Sequence, residues 1–212
     1  MSKGKLIFIN IIGLVVILGL IAAGGYLYYE NRNYVKTDDA AVSADIFQMV
    51  APTSGVLTSW EGKEGQTVSN KQTIGKVAGA EKEVAVKTVE AGTIIKNEAK
   101  ANQLVQAGQV LAQEANMDDL YIVANIKEKN VSDIEVGDSV DISIDGDSDV
   151  VFDGKIEEIG YATNSVFSAL PSQNASGNYT KTTQKIPVKI SIQNPTKKVL
   201  LGMNAEVKIS IN

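Results

Sequence analysis

From Leu6 to Tyr29 the chain is apolar at every position but Asn10, LIFINIIGLVVILGLIAAGGYLYY, and beyond Glu30 it breaks into short stretches in which apolar and polar residues alternate. The first pattern predicts one membrane-crossing helix over residues 6–29. Twenty-four residues at the helical rise span about 36 Å, enough for a hydrocarbon core of about 30 Å with some tilt. Lys3 and Lys5 precede the span, and Tyr26, Tyr28 and Tyr29 close it, so the positive-inside rule places the N-terminus in the cytoplasm and the rest of the chain outside. Ala22, Ala23 and Gly24 are small enough for signal-peptidase cleavage, but the apolar run is longer than a signal h-region and continues past them. Gly19 and Ala23 form a small-xxx-small pair, a candidate packing face for another helix.

The second pattern predicts strands. Val140, Ile142 and Ile144 alternate with Asp141, Ser143 and Asp145; Ile186, Val188, Ile190 and Ile192 with Pro187, Lys189 and Ser191; Ala205, Val207, Ile209 and Ile211 with Glu206, Lys208 and Ser210. With residues 120–126 and 150–160 this makes about five strands, and a helical turn is expected at 127–134. Short antiparallel strands dispose of their edges by closing, so the region reads as an antiparallel barrel or sandwich, with the Pro187 strand at an edge. Residues 55–115 carry a repeat at an offset of 37. It pairs Gly55 with Gly92, Leu57 with Ile94, Glu61 with Glu98, Lys63 with Lys100, Gln66 with Gln103, Val68 with Val105, Gln72 with Gln109, Ile74 with Leu111 and Ala78 with Ala115. Two such units, neither able to bury its own apolar face, should pack as a small β-sandwich. Residues 97–107 contain good helix formers, yet the repeat equates them with the Gly-containing EGKEGQTVSNK, which argues for turn and strand.

Composition narrows the chemistry. With no cysteine and no histidine, disulfides, acylated lipoprotein anchors, the usual zinc sites and imidazole catalysis are outside the repertoire. Beyond the span eighteen basic residues face twenty-five acidic ones, a net charge of −7, which disfavours nucleic acid and electrostatic docking on anionic lipid. No catalytic residue, metal ligand or cofactor is assigned.

Three stretches resemble one family. Residues 34–57, YVKTDDAAVSADIFQMVAPTSGVL, and residues 117–140, MDDLYIVANIKEKNVSDIEVGDSV, are similar to the opening segment and the lipoyl-to-barrel passage of the EmrA/HlyD-type membrane fusion proteins. Residues 164–190 are similar to that family's most specific signature, carried here by Phe167, Ser168, Leu170, Pro171, Gln173, Asn174, Ala175, Gly177, Asn178, Gln184, Pro187 and Val188. Ser172 and Tyr179 stand where the family often has proline and tryptophan. Between the repeat halves, where the family inserts a long helical hairpin, this chain has only residues 78–83, and it carries no heptad pattern.

The resemblance implies a mainly β protein: a cytoplasmic N-terminus (1–5), a transmembrane helix (6–29), a linker (30–41), a lipoyl/biotinyl-like sandwich of two half-motifs (42–116) and a β-barrel adaptor domain (117–212). It implies a non-enzymatic subunit of a multidrug efflux or secretion system, partnered by a major-facilitator transporter in the same membrane and assembling as a homo-oligomer. Without a hairpin to bridge a periplasm, a single-membrane, Gram-positive bacterium is expected.

Rival readings are weaker. Lys82 lies where biotinyl and lipoyl carriers place their modified lysine, but Glu81 and Glu83 flank it without the methionines of a biotinyl site, so a solvated turn lysine is expected. Asp145-Gly146-Asp147-Ser148-Asp149 hints at calcium, yet Val150 and Ile156 occupy the EF-hand's Gly and Glu positions, and a hairpin turn explains it better. A surface-anchored binding protein for wall polymer or ligand is the alternative function. The candidate partner-contact residues are Phe167, Leu170, Pro171, Gln173, Asn174, Asn178 and Tyr179, in a 162–184 loop too long for a plain hairpin connection; folding back as a lid is the other role open to them.

Overall fold

In the computed structural model, which describes residues 3–167 and 183–211, the apolar run is one helix, α1 (Lys3–Asn33), longer at its C-terminal end than the expected span. Side chains such as Leu14, Leu18 and Leu20 are more than half exposed, and none of the described side chains of residues 12–30 is buried. A helix apolar on all sides has no stripe to turn toward a core; it is long and apolar enough to cross a membrane. Its last turn is closed by Asn33, whose side-chain amide donates to the Tyr29 carbonyl at 2.7 Å and satisfies an otherwise orphaned acceptor.

Residues 34–41, expected as linker, are strand instead. β1 (Tyr34–Ser43) follows the helix directly and belongs to the barrel. Its buried residues, Val35, Ala40 and Val42, do not keep step, because a bulge between Thr37 and Ala40 shifts the register against the neighbouring strand. That extra residue breaks the alternation at Asp38-Asp39, which is why the segment reads as polar linker.

The chain then leaves the barrel for eight strands, β2 (Ile46–Val50), β3 (Gly55–Trp60), β4 (Thr67–Val68), β5 (Thr73–Ala78), β6 (Glu83–Lys87), β7 (Gly92–Asn97), β8 (Leu104–Val105) and β9 (Val110–Ala115). They form two four-stranded sheets, β2-β9-β7-β4 and β6-β5-β3-β8, each sheet drawing strands from both repeat halves. Exchanging the halves converts one sheet order into the other, so the repeat is a structural two-fold. Its turns repeat to the hydrogen bond. Lys63 N–H donates to the Gln66 carboxamide at 3.1 Å and Lys100 N–H to that of Gln103 at 3.0 Å; Ser69 and Gln106 do the same to Gln72 and Gln109. Gly55 and Gly92 are required by close approach: a Cβ would sit 1.9 Å from the Ala78 carbonyl oxygen in one half and 2.5 Å from that of Ala115 in the other. Residues 97–107 form no helix, as the repeat demanded. Trp60 packs against the apolar clusters of both sheets and donates to Asn97, its own counterpart in the other half, at 2.9 Å.

The chain returns as β10 (Tyr121–Lys127), a short α2 (Glu128–Val131), β11 (Ser139–Ile144), β12 (Val151–Ile159), β13 (Lys185–Ile192) and β14 (Asn204–Ser210). With β1 these close a six-stranded barrel, ordered β1-β10-β13-β12-β11-β14. Val188, Ile190, Ile142, Val207 and Ile209 fill its interior. Two expectations are corrected. The Pro187 strand is not at an edge, since β13 pairs with both β10 and β12; proline is tolerated because it faces Gly160 just past the end of β12, where Gly160 N–H donates to its carbonyl at 2.8 Å and no return bond is needed. The 145–149 segment is a 3-10 turn with a buried Asp147 rather than a tight Asp-Gly hairpin.

Candidate partner-contact site

Register defines the two poles of the barrel. Lys127 pairs with Lys185 and Tyr34 with Ser210, so the exit of α1, the end of β10 with α2, the end of β12 and the start of β13 share one pole. The sheets of β2–β9 leave from the opposite pole, where Ser43 pairs with Tyr121. The connection from β12 to β13, which carries the candidate contact residues, therefore emerges on the side of the membrane helix.

Its roots are tied down by a polar network that joins four strands or loops. Asp39, on the β1 bulge, accepts from the Lys185 ammonium at 2.7 Å and from the Asn125 amide at 3.0 Å. Asn125 in turn accepts from the Asn164 amide at 2.7 Å, while its backbone carbonyl accepts from Thr37 at 3.2 Å. Asn164 and Lys185 stand at the two ends of the loop; Asp39 holds Lys185 directly and Asn164 through Asn125. The Lys185 and Asn125 hydrogen bonds hold the Asp39 carboxyl below its usual range. Both ionic partners are about 40% exposed, at 39% for Lys185 and 42% for Asp39, so water screens the pair and its part is positional more than energetic.

The structure places the sequence candidates unequally. Phe167 ends a 3-10 turn (Asn164–Phe167) and is described through its backbone; Leu170, Pro171, Gln173, Asn174, Asn178 and Tyr179 lie outside the described residues. Beside the loop root, Tyr161 is fully exposed and Val166 is 68% exposed, two apolar side chains that the sequence reading passed over. Gly19 and Ala23 are exposed on α1, and a Cβ on Gly19 would meet open space, so that face is open to a second helix. Lys82 lies exposed on the bend between β5 and β6, in a connection of four residues where a hairpin would be inserted. Asp147 is 4% exposed and accepts from Thr196 at 2.7 Å and Lys198 at 3.0 Å, so its carboxylate is committed to the fold; no cluster of three or more potential metal ligands occurs among the described residues.

A family model for the barrel-sandwich hybrid domain of YhbJ matches residues 45–116, the β2–β9 sheets. Over 210 residues the chain is 58% identical to the "Putative efflux system component YhbJ" of Bacillus subtilis (strain 168), covering 99% of this chain and 95% of that protein. The chain belongs to the YhbJ family. It is 29% identical over 178 residues to the "Probable multidrug resistance protein EmrK" of Escherichia coli (strain K12), spanning 81% of this chain but 46% of that one. The solved structure of the periplasmic adaptor protein EmrA shares the fold at a TM-score of 0.56 and 12% identity, covering 85% of this chain and 99% of that chain. At that identity the structural likeness shows the fold.

Proposed function

We propose that this protein is the membrane-anchored adaptor of an export system, with α1 crossing the bilayer, its N-terminus cytoplasmic and the barrel and sandwich outside. The observation that carries this reading is the match along 99% of the chain to an efflux system component, in a fold shared with adaptor proteins. The protein has no catalysis of its own. Its partner is a transporter of the same membrane, of the major-facilitator class that the family resemblance implies, and it works as a homo-oligomer. The Gly19/Ala23 face of α1 packs on a transporter helix within the bilayer. The β12–β13 loop, with Phe167, Leu170, Pro171, Gln173, Asn174, Asn178 and Tyr179, meets the transporter's outer mouth or a neighbouring copy.

Support for that placement comes from the poles: the loop roots and the membrane helix leave the barrel on the same side. The four-residue β5–β6 connection supports a setting with a single membrane and no outer-membrane channel to reach. Purification from mild detergent, followed by identification of what accompanies the protein, tests the reading. A many-span transporter should co-purify in fixed ratio, and deleting the adaptor should raise drug sensitivity; recovery of wall polymer with no transporter would replace this reading with that of a surface binding protein.

A further inference from the structure

α1 passes into β1 without a connecting residue, and Ile211 N–H donates to the Asn33 carbonyl at 2.8 Å, so the last strand also grips the end of the helix. The barrel is thereby held within a few residues of Glu30, where the apolar window ends. In the angle between helix and barrel lies a cleft of about 520 Å³, lined by Glu30, Tyr34, Lys36, Lys127, Lys129 and Asp133 among others.

The charges in it are unevenly matched. Lys36 is paired with Glu30. Lys127 and Lys129 are exposed and have no ion-pair partner among the described residues, with Asp133 the remaining carboxylate of the lining. Arg32 on the last helical turn donates to the Tyr28 hydroxyl, and Lys208 stands 3.9 Å over the Tyr34 ring, adding two more cations beside it. A protein carrying −7 beyond its span has thus gathered cations where its barrel meets the anchor.

We propose that this cleft binds the phosphodiester of an anionic phospholipid in the leaflet from which α1 emerges, with the Lys127 and Lys129 ammonium groups as donors. The inference rests on the reading of α1 as a membrane span. Ammonium groups without a carboxylate partner supply charge-assisted hydrogen bonds to a phosphate, and cations close to a membrane surface gain from its negative potential over a Debye length of about 8 Å. A lipid fits better than a free anion because Glu30, one of the lining residues, ends the apolar helix, and the exposed Tyr26 one turn above it continues an apolar surface for acyl chains. The overall negative charge, which disfavours such docking when averaged over the chain, does not decide it at this pole.

The test uses the full chain in lipid nanodiscs, of phosphatidylcholine alone or with added phosphatidylglycerol, with amide hydrogen exchange read over residues 127–134. Phosphatidylglycerol should slow exchange there by about tenfold, with the effect lost at high salt and in a Lys127→Glu, Lys129→Glu variant that keeps its melting temperature. Equal exchange in both discs overturns the proposal. So does equal slowing by inorganic phosphate in phosphatidylcholine discs, which would mark a free-anion site, or slowing only when a transporter is co-reconstituted, which would mark a protein partner. Failure of the chain to stay in the discs would instead overturn the membrane-span reading beneath it.

Discussion

The two poles of the barrel are closed by the same six strands but built to different ends. At the pole facing the β2–β9 sheets, the connections are held close: Val42 N–H donates to Met203 O at 2.8 Å, Gly202 N–H returns to Val42 O at 2.9 Å, and a buried Asp147 ties the β11–β12 turn to Thr196 and Lys198. At the membrane pole the corresponding carboxylate, Asp39, is 42% exposed and holds the roots of a long loop, with Tyr161 and Val166 left open to solvent beside it. A buried clasp stabilises the fold it sits in; an exposed, solvent-screened one contributes position more than energy. The difference teaches that the polar clasp beside α1 is open to solvent while the one facing the sheets is sealed into the fold.

The wall common to both poles should be the most sensitive. Val188 is fully buried, and Val188→Asp places a carboxylate in the barrel interior at an expected cost of several kcal/mol, about 3 or more, read as loss of folded protein or a collapse of Tm. Its neighbour Lys189 faces outward, pairs with Glu157 at 3.5 Å and stands 4.2 Å over the Tyr121 ring, so Lys189→Asp should cost about 1 kcal/mol or less. Equal damage from both would mean that interior and exterior have been exchanged.

Next comes the comparison of clasps. Asp147→Ala leaves the Thr196 and Lys198 donors without their buried acceptor and should lower Tm clearly more than Asp39→Asn, by thermal denaturation of the two variants side by side. Asp39→Asn should cost about 1 kcal/mol or less, because its pair is screened, and should act instead on loop order and on export. The reverse ranking would dissolve the distinction between poles. Acid titration adds a check of sign. Both carboxyls are held below their usual range, Asp39 by Lys185 first and then Asn125, Asp147 by Thr196 first and then Lys198. Their contributions are therefore present at neutral pH and lost as pH falls below about 4, so the wild type should lose more stability between pH 5 and about 2 than either variant does.

How far sequence carried the fold differs between the regions for a physical reason. The 37-residue repeat was legible because its turns repeat their chemistry, glutamines folding back on the backbone three residues earlier in both halves. β2 and β6 belong to the same repeat but share little sequence, since IFQMV and EVAVK answer to different neighbours, and they were not separated out. β1 hid behind its bulge, and with it the sixth strand of the barrel. The Asp39 network could not be read at all: its partners lie 86 and 146 residues away in sequence, and the local signal was only that Asp39 falls within the 34–57 stretch that resembles the family's opening segment. The candidate contact residues were legible as an over-long loop and as the stretch that carries the most specific part of the family resemblance.

The claim that the membrane pole is the contact pole is tested most directly by a variant with the smallest expected effect on stability. A Phe167→Ala, Leu170→Ala, Tyr179→Ala protein should melt within a few degrees of the wild type. Co-purified from mild detergent, it should bring down at least about tenfold less transporter or lose its association with other copies, as removal of an apolar anchor cluster does at protein interfaces. A stably folded triple variant that recovers the transporter and assembles at wild-type levels would contradict the account.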